Sequence, residues 1–575
     1  MAYDPTNSVG RPLLALTNDR DVSLYPTHTS KNASFLRFLR RPRVIALSVS
    51  VFLIIAATYT YFAPLSLPRT LPGFGSKSQQ DGTHPAAPAP HSDPYAIEHR
   101  PPPPVDPAYP LSVFNTLSNA MSRYTLLTSR PPPLHYSKFH TYAQEHKCFT
   151  DPRAYAGVFA DFAPFWAAER REERRTGKRG WFREQVTKTA ERWVRDGDSH
   201  GAVAMDVRSG RMYRPGYQGS YFDGDWDNKI NMFASSLPDM KVLINGRDEP
   251  RVAYDTAPLL RGSKSEVNLG IVDGKPFAHS FDGSAPASDF FRTREGCAPL
   301  NGEMGDVPFL VSPSSSDLTT DLIPILSMAK LADGSGIGSG AALDFSPSSG
   351  HSCFADILIV GEFYYTSSSW AGKFEFSDNV PWDKKREVIY WRGKSNGGHI
   401  RGQNYRFFPR FRLMDIAREP ENKHLFDVQI TEWHEWHCTD NCDADAIRKE
   451  YNITGQKAPR EESYKYKYVL DVDGNSFSGR YLGLLRSGSL VFKSTAFAEY
   501  FTPWLIPYEH FIPVRPDLSD LAAKIAWAQK NDKEAHRIQE SGRRFAEDVL
   551  TGAQNDCYWF AVMLEWGELW GSAEV

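Results

Sequence analysis

The chain has 575 residues, of which 41% are hydrophobic and 13% aromatic. A chain of this length is usually too long to fold around a single hydrophobic core, so we expect two globular units with appended segments. The formal net charge of -3 and the sequence pI of about 6.6 argue against a general nucleic-acid-binding protein, since such proteins usually have strongly basic surfaces.

Residues 44–63, "VIALSVSVFLIIAATYTYFA", form an uncharged run that predicts a transmembrane helix. Basic residues are dense before it and sparse after it: Arg37, Arg40, Arg41 and Arg43 precede it, and Arg69 and Lys77 follow it. This asymmetry predicts that residues 1–43 are a cytosolic tail and that the large C-terminal part is luminal. A cleaved signal peptide is the alternative, but it would need an unusually long n-region.

A luminal location agrees with the even number of cysteines, because disulfides form in oxidising compartments. The six are Cys148, Cys297, Cys353, Cys438, Cys442 and Cys557, and their pairing cannot be deduced from the sequence. Asn452 begins the sequon Asn-Ile-Thr, which predicts a glycosylated asparagine on the luminal side.

Residues 64–134 are rich in proline, as in "RPPPPVDPAYP", and predict an extended stem. Globular patterning begins at His135. Helices are predicted over 165–194, over "FRLMDIARE", over 517–550 with Ser519 as a cap, and over the terminal "CYWFAVMLEWGELW". Strands are predicted in "MKVLIN", "DILIVGEFYY", "REVIYW", "YVL" and "GSLVFK". Their alternation with helices predicts an α/β architecture.

Polar residues follow three of these strands, and ligands of open α/β sheets bind at the carboxyl ends of strands. After "MKVLIN" comes Asn245-Gly246-Arg247-Asp248-Glu249-Pro250. A salt-bridged turn is the simpler interpretation of its charges. The functional interpretation is that Asp248 is a general base.

After "REVIYW" the chain continues as Arg392-Gly393-Lys394-Ser395. A glycine between two cations lets a ligand approach the backbone and suits a phosphate, although an ordinary turn would have the same composition. The order of the residues is not that of a Walker loop.

The stretch "YKYVLDVDGNSFSGRYLGLLRSGSLVFK" contains the third strand end, where Asp471 and Asp473 precede a loop of small residues and Arg480. Exposed amides, a helix N-terminus and an arginine bind anions. The two aspartates have two competing interpretations: metal ligation through Asp-x-Asp, or hydrogen bonds that organise the loop.

Two further clusters have simpler explanations than a metal site. His434, His437, Cys438 and Cys442 do not have the spacing of a standard zinc finger, so a disulfide that involves Cys438 and Cys442 is the preferred interpretation. Asp223, Asp225 and Asp227 are interpreted as an acidic turn.

Six segments together, "INGRDEP", "YWRGKSNGG", "YKYVLDVDGNSFSGR", "LRSGSLVFK", "YFTPWLIPYEHFIPV" and "DLSDL", resemble glycosyltransferase family 90. This family contains fungal capsule-associated xylosyltransferases and animal protein O-glucosyltransferases. The resemblance covers roughly residues 237–550, and the motifs occur in the family's order.

The resemblance implies a GT-B-like fold of two Rossmann-type lobes. We expect residues 135–385 to form the acceptor-side lobe, residues 386–550 the nucleotide-sugar-binding lobe, and residues 551–575 a C-terminal helix. It also implies a UDP-sugar donor, inversion at the anomeric carbon, no required metal or other cofactor, and a glycan or glycoprotein acceptor. The expected location is the Golgi or endoplasmic reticulum membrane, as a single-pass type II protein.

The family's catalytic base falls on Asp248, and its diphosphate contacts fall on the following positions: Arg392, Gly393, Lys394, Ser476, Ser478 and Arg480. Arg410 or Arg412 is expected to add a further contact. The loop chemistry adds Ser395, Asp473 and Gly474 to the expected donor site. Lys394, Asp471 and Asp473 depart from the glucosyltransferase branch, so the donor sugar stays open between xylose and glucose.

Two alternatives remain at this point. One is a metal-dependent transferase that uses Asp471 and Asp473. The other is a catalytically inactive luminal scaffold that binds glycans with the same pocket.

Overall fold

Two five-stranded β-sheets organise the protein, whose structure is a computed structural model. The structure describes residues 116–196, 202–214, 224–262, 269, 319, 321–332, 354–365, 380–435 and 438–572. The expected cytosolic tail, the transmembrane run 44–63 and most of the stem lie outside these residues, as do Asp223, Cys297, Cys353 and His437. Within the described part of the chain, no helix combines the length and the apolarity that a bilayer crossing requires.

Helices dominate the start of the described chain. They are α1 (Leu117–Thr128), α2 (Tyr136–Glu145), α3 (Ala156–Thr176) and α4 (Trp181–Asp196). The last two confirm the helices predicted over 165–194. Helix α1 lies inside the segment that the sequence assigned to the stem, because Ala120 and Tyr124 bury against the core although proline-rich sequence surrounds them.

The first sheet is mixed and has the strand order β2-β1-β3-β4-β6. Its strands are β1 (Ala202–Arg208), β2 (Arg211–Tyr213), β3 (Met240–Asn245), β4 (Leu326–Ser327) and β6 (Ile357–Leu358). Helices α5 (Gly224–Phe233) and α6 (Ala257–Leu260) flank β3 in the chain. The strand expected over "DILIVGEFYY" is limited to β6, and Glu362–Tyr364 forms a 3-10 turn instead.

The second sheet is entirely parallel, with the order β14-β12-β11-β7-β9. Its strands are β7 (Arg386–Lys394), β9 (Phe426–Glu432), β11 (Tyr466–Val472), β12 (Leu490–Ser494) and β14 (Ile512–Val514). Parallel strands buried on both faces read as apolar runs, which is why the sequence predicted β7, β11 and β12.

Two small sheets accompany the large ones. Strand β5 (Ala329–Leu331) pairs with β13 (Phe497–Glu499), and β8 (Ile400–Arg401) pairs with β10 (Cys438–Asp440). The remaining helices are α7 (Pro409–Arg418), α8 (Ala444–Glu450), α9 (Tyr481–Arg486), α10 (Leu521–Lys530), α11 (Asp532–Asp548) and α12 (Gly552–Gly571). Asp520, not Ser519, precedes α10 as its N-terminal flanking residue, and Ser519 instead donates to Asp517.

The final helix, α12, packs against the helices of the N-terminal half, including α2, α3 and α4. Cys557 on α12 forms a disulfide with Cys148, and Trp566 donates from Nε1 to the Lys241 carbonyl at 2.8 Å. Its buried face therefore belongs to the hydrophobic core of the first sheet, and the parallel sheet has a second core of its own.

Candidate active site

A cavity of about 460 Å³ lies where β3, β7 and β11 end. The three segments singled out in the sequence all contribute to it, through Asp248, through Arg392 to Lys394, and through the loop between Gly474 and Arg480. Small-molecule sites of proteins typically have volumes of about 300–1,000 Å³. The size and the strand-end position are therefore those of a ligand site in an α/β protein.

Asp248 lies in a turn that buried polar groups hold in place. Asn245 donates from Nδ2 to the Glu249 carbonyl at 2.6 Å, and its Oδ1 accepts from the Arg247 backbone N–H at 3.1 Å. The same oxygen accepts from Nε of the fully buried Arg251 at 2.9 Å. Because Asn245 bridges both ends of the turn, the position of Asp248 is fixed by the end of β3.

Asp356 anchors the following residues. Its carboxylate accepts from the backbone N–H groups of Arg251 and Val252, each at 2.9 Å, and from the Ser327 hydroxyl at 2.6 Å. The carboxylate is buried, and burial raises its pKa. The turn that bears Asp248 is thus supported from two neighbouring strands, which favours a rigid active-site geometry over a mobile surface turn.

The pKa of the Asp248 carboxyl is raised well above its usual range. Burial is the main cause, the adjacent Glu249 charge and a hydrogen bond to Glu249 add to it, and the charge of Arg247 opposes it. A raised pKa strengthens a carboxylate as a proton acceptor, as long as the pH is high enough to leave it ionised. The environment of Asp248 is therefore suited to general-base chemistry.

Two arginines, Arg410 on α7 and Arg480 before α9, present cationic groups to the cavity. Each guanidinium carbon lies 5.6 Å from the Trp391 ring centroid. Burial and the positive charge of Arg480 lower the pKa of Arg410 to about 9. Two like charges held at one site are stabilised by an anion, so this pair favours a negatively charged ligand.

The hydrogen bonds of these arginines position them differently. Arg410 donates from Nε to the Asp473 carbonyl and from Nη1 to the Lys394 carbonyl, both at 2.9 Å. Arg480 donates from Nη1 to the Arg392 carbonyl at 2.9 Å, while its buried Nη2 has no hydrogen-bond partner among the described residues. Arg480 therefore lines the cavity and also has a buried donor without a hydrogen-bond partner among the described residues.

The side chain of Arg392 is engaged elsewhere. Its Nη1 donates to the Asp427 carbonyl at 2.7 Å, and its Nη2 donates to the Asp427 carboxylate at 2.5 Å, on the neighbouring strand β9. Arg392 lines the cavity, but these bonds hold its guanidinium against β9. Of the arginines expected to bind a diphosphate, Arg480 and Arg410 have the more suitable geometry.

Glycines allow the close approach of backbone and rings at this site. A Cβ at Gly393 would lie 2.6 Å from the Trp391 ring, and one at Gly479 would lie 2.6 Å from the Phe363 ring. At Gly474 a Cβ would lie 3.0 Å from Nη2 of Arg410. The small residues predicted to expose backbone amides are also required by the packing around the cavity.

Other predicted donor residues lie around the cavity in different ways. Lys394, Gly474 and Ser478 line it, whereas Ser395, Asp473 and Ser476 are buried behind the lining. The Ser395 hydroxyl accepts from the His434 backbone N–H at 2.8 Å. The Asp473 carboxylate accepts from the Ala496 N–H at 2.7 Å, and burial raises its pKa to about 7.

Several other lining residues were not expected from the sequence. Tyr390 and Leu484 flank the cavity on β7 and α9, and Pro459, Arg460 and Ser463 come from the segment before β11. Phe363 reaches the glycine-rich loop from the 3-10 turn after β6. Phe363 contacts Phe477, which lies 114 positions further along the chain, and no local pattern in one sequence indicates such a contact.

The two clusters for which the sequence favoured a simpler explanation than a metal site have structural roles, as far as the structure describes their residues. Cys438 and Cys442 form a disulfide, as preferred over zinc ligation, and Asp227 forms an ion pair with Arg214 at 2.5 Å. The side chain of Asp225 lies outside the described residues.

The predicted glycosylation site, Asn452, is exposed and follows α8, with a φ of 51°. Among the described residues, no group of three or more potential ligands has the geometry of a metal site.

Part of the chain matches a known protein family. Residues 371–573 match the family model described as Glycosyl transferase family 90, so the chain contains a domain of this family. The matched segment holds the whole parallel sheet and its arginines. Asp248 precedes it.

Three curated relatives illustrate the similarity. Protein O-glucosyltransferase 3 of Rattus norvegicus is 32% identical over 180 residues, which is 31% of this chain and 33% of the relative. Protein O-glucosyltransferase 2 of Danio rerio is 33% identical over 33% of this chain and 34% of its own length. Protein O-glucosyltransferase 1 of Homo sapiens is 28% identical over 33% of this chain and 43% of its own length. The alignments span about a third of the first two relatives.

Proposed function

We propose that this protein is an inverting glycosyltransferase that moves a sugar from a UDP-sugar to a hydroxyl group of a glycan or glycoprotein. The observation that carries the proposal is the shared cavity, in which the Asp248 carboxylate meets the cationic pair Arg410 and Arg480. The family 90 domain supports it. Xylose and glucose are the first donor sugars to consider.

The mechanism needs one proton acceptor and one site for negative charge. Asp248 accepts the proton of the attacking hydroxyl, which forms its bond to the anomeric carbon as the bond to the UDP oxygen breaks. Arg410 and Arg480 stabilise the charge that develops on the departing diphosphate, since fixed donors in a partly dehydrated site need no reorganisation. Attack from the face opposite the leaving group inverts the anomeric centre.

We further propose a GT-B arrangement, with the mixed sheet on the acceptor side and the parallel sheet on the donor side. Residues 44–63 would anchor the protein in the Golgi or endoplasmic reticulum membrane as a single-pass type II protein, with the catalytic part in the lumen. The disulfide between Cys148 and Cys557 agrees with an oxidising compartment.

The test uses the full chain, purified in detergent, with UDP-xylose, UDP-glucose, UDP-galactose and UDP-glucuronic acid supplied separately. We expect UDP release from one of them, slow with water and faster with an acceptor glycan. Asp248→Asn protein prepared in the same way is the control. No release of UDP from any donor would instead support the scaffold alternative.

A metal-dependent reaction through Asp471 and Asp473 is the remaining alternative. Asp471 is bound to Lys493 at 2.9 Å, and neither aspartate lines the cavity, whereas Arg410 and Arg480 do. We therefore propose that the arginines perform the metal's role. Transfer should persist in EDTA, and activity that EDTA removes and Mn²⁺ restores would favour the metal-dependent reaction.

A further inference from the structure

A buried lysine lies behind the loop that presents Arg480. Lys493 is the next-to-last residue of β12 and is the register partner of Asp471 on β11. Its Nζ donates to Asp471 Oδ2 at 2.9 Å and lies 4.0 Å from the centroid of the Tyr481 ring. Both charged groups are buried, and neither lines the cavity. The transfer reaction proposed above gives this ion pair no role.

The negative charge of Asp471 acts on the guanidinium of Arg480, where it opposes the effect of burial on the pKa. The two groups nevertheless do not bond to each other. Asp471 Oδ1 and Arg480 Nη2 are both buried, and neither has a hydrogen-bond partner among the described residues. The carboxylate is paired with Lys493 instead, and Arg480 remains among the residues that line the cavity.

A buried carboxylate without a cation is costly and attracts the nearest available positive group. Besides Lys493, the cations that Asp471 acts on are Arg410 and Arg480. Arg410 is held by the carbonyls of Asp473 and Lys394. Arg480 has only one short hydrogen bond, to the Arg392 carbonyl, and would be the one to turn towards Asp471.

We propose that Lys493 is a positioning residue for the donor diphosphate: by pairing with Asp471, it leaves the Arg480 guanidinium free to bind the ligand. This inference rests on the proposed function. It assigns Lys493 to donor binding and not to the proton transfer at Asp248.

The experiment measures UDP binding by titration calorimetry with the full chain. Lys493→Met should raise the Kd for UDP about tenfold, because a charge-assisted bond to the diphosphate is weakened. The double variant Lys493→Met with Asp471→Asn should bind within about threefold of the wild type, because the competing carboxylate is gone. In transfer assays, Lys493→Met should raise KM for the donor and also lower kcat, because Arg480 both binds the diphosphate and stabilises its charge as it departs.

Lys524 provides a matched control. Lys524 is a buried lysine on α10, a helix that packs in the core of the parallel sheet. It pairs with Asp520 at 2.6 Å and does not line the cavity. Lys524→Met should destabilise the fold to a similar extent without changing the Kd for UDP. A merely structural role of Lys493 would give both variants the same result.

The outcomes separate this inference from the function on which it rests. Wild-type protein that fails to bind UDP would overturn the proposed function and the inference together. Wild-type binding that Lys493→Met leaves unchanged would overturn the inference alone. If Lys493→Met does not fold, the double variant decides, because the inference fails if that variant folds and still binds UDP tenfold more weakly than the wild type.

Discussion

Arg480 donates a hydrogen bond from Nη1 to the backbone carbonyl of Arg392 at 2.9 Å. Two of the arginines predicted to hold a diphosphate are therefore joined, but only through the main chain of one of them. The Arg392 guanidinium is bound to Asp427 on β9, whereas Arg480 lines the cavity and has one donor without a hydrogen-bond partner among the described residues.

This difference predicts unequal effects of alanine substitutions at the two arginines. Arg480→Ala should raise the Kd for UDP at least about tenfold, because it removes a charged donor from the ligand site. Arg392→Ala should change that Kd less and should lower the melting temperature, because Asp427 loses a partner. Calorimetry and thermal unfolding measure both effects. Equal losses of UDP affinity in the two variants would contradict the assignment.

Replacing Asp248 should separate chemistry from binding. Asp248→Asn should lower kcat by about 10²- to 10⁴-fold, the usual contribution of a general base, and leave the Kd for UDP within a few-fold. Glu249→Gln should leave the Kd for UDP unchanged, because Glu249 does not line the cavity, and should affect turnover only through the pKa of Asp248. Wild-type turnover in Asp248→Asn would disprove the base assignment.

The acid limb of the pH profile should report the same group. The pKa of Asp248 is raised, so the base becomes protonated, and inactive, as the pH falls through a value above that of an ordinary aspartate. Glu249→Gln removes the nearby negative charge and should move this limb to lower pH. A shift in the opposite direction would mean that another group controls the profile.

Glu499 should make stability depend on pH. It is buried and accepts from the Tyr364 hydroxyl at 2.7 Å, and burial raises its pKa to about 8. A carboxyl whose folded pKa exceeds the unfolded value near 4 stabilises the fold at low pH, and this stability is lost as the pH rises through about 8. Glu499→Gln should therefore flatten the fall in melting temperature between pH 5 and 8. An unchanged slope would exclude Glu499 as its source.

The two described disulfides should contribute very differently to stability. Cys148 and Cys557 are 409 positions apart, whereas Cys438 and Cys442 are separated by 4. Closing a longer loop removes more entropy from the unfolded chain, so replacing the first pair by serine should cost about 2–5 kcal/mol and the second pair clearly less. Denaturant unfolding of the two double variants measures this. Equal costs would mean that loop length does not govern them.

The sequence predicted β3, β7 and β11, which end at the cavity, because each strand contains a continuous run of buried apolar residues. It did not predict where the Arg392 side chain points, since its partner Asp427 is 35 positions away on a strand with few apolar residues. The sequence indicated the pairing of Asp471 with Lys493 only weakly. Each of these charged residues lies near the end of a strand that is otherwise largely apolar. The roles of Ser395 and Phe363 depend on contacts between distant segments, which one sequence does not reveal.

Helix α12 completes the core of the first sheet although it comes last in the chain. During synthesis, α2, α3 and α4 therefore leave the ribosome long before α12, the helix against which they pack, has been made. Phe139 and Phe233 contact Phe560 in the folded protein, so these contacts cannot form until residue 560 has been translated. Until then the apolar side chains of the N-terminal half lack this packing partner, and a premature stop codon before residue 552 would leave that half without a complete core.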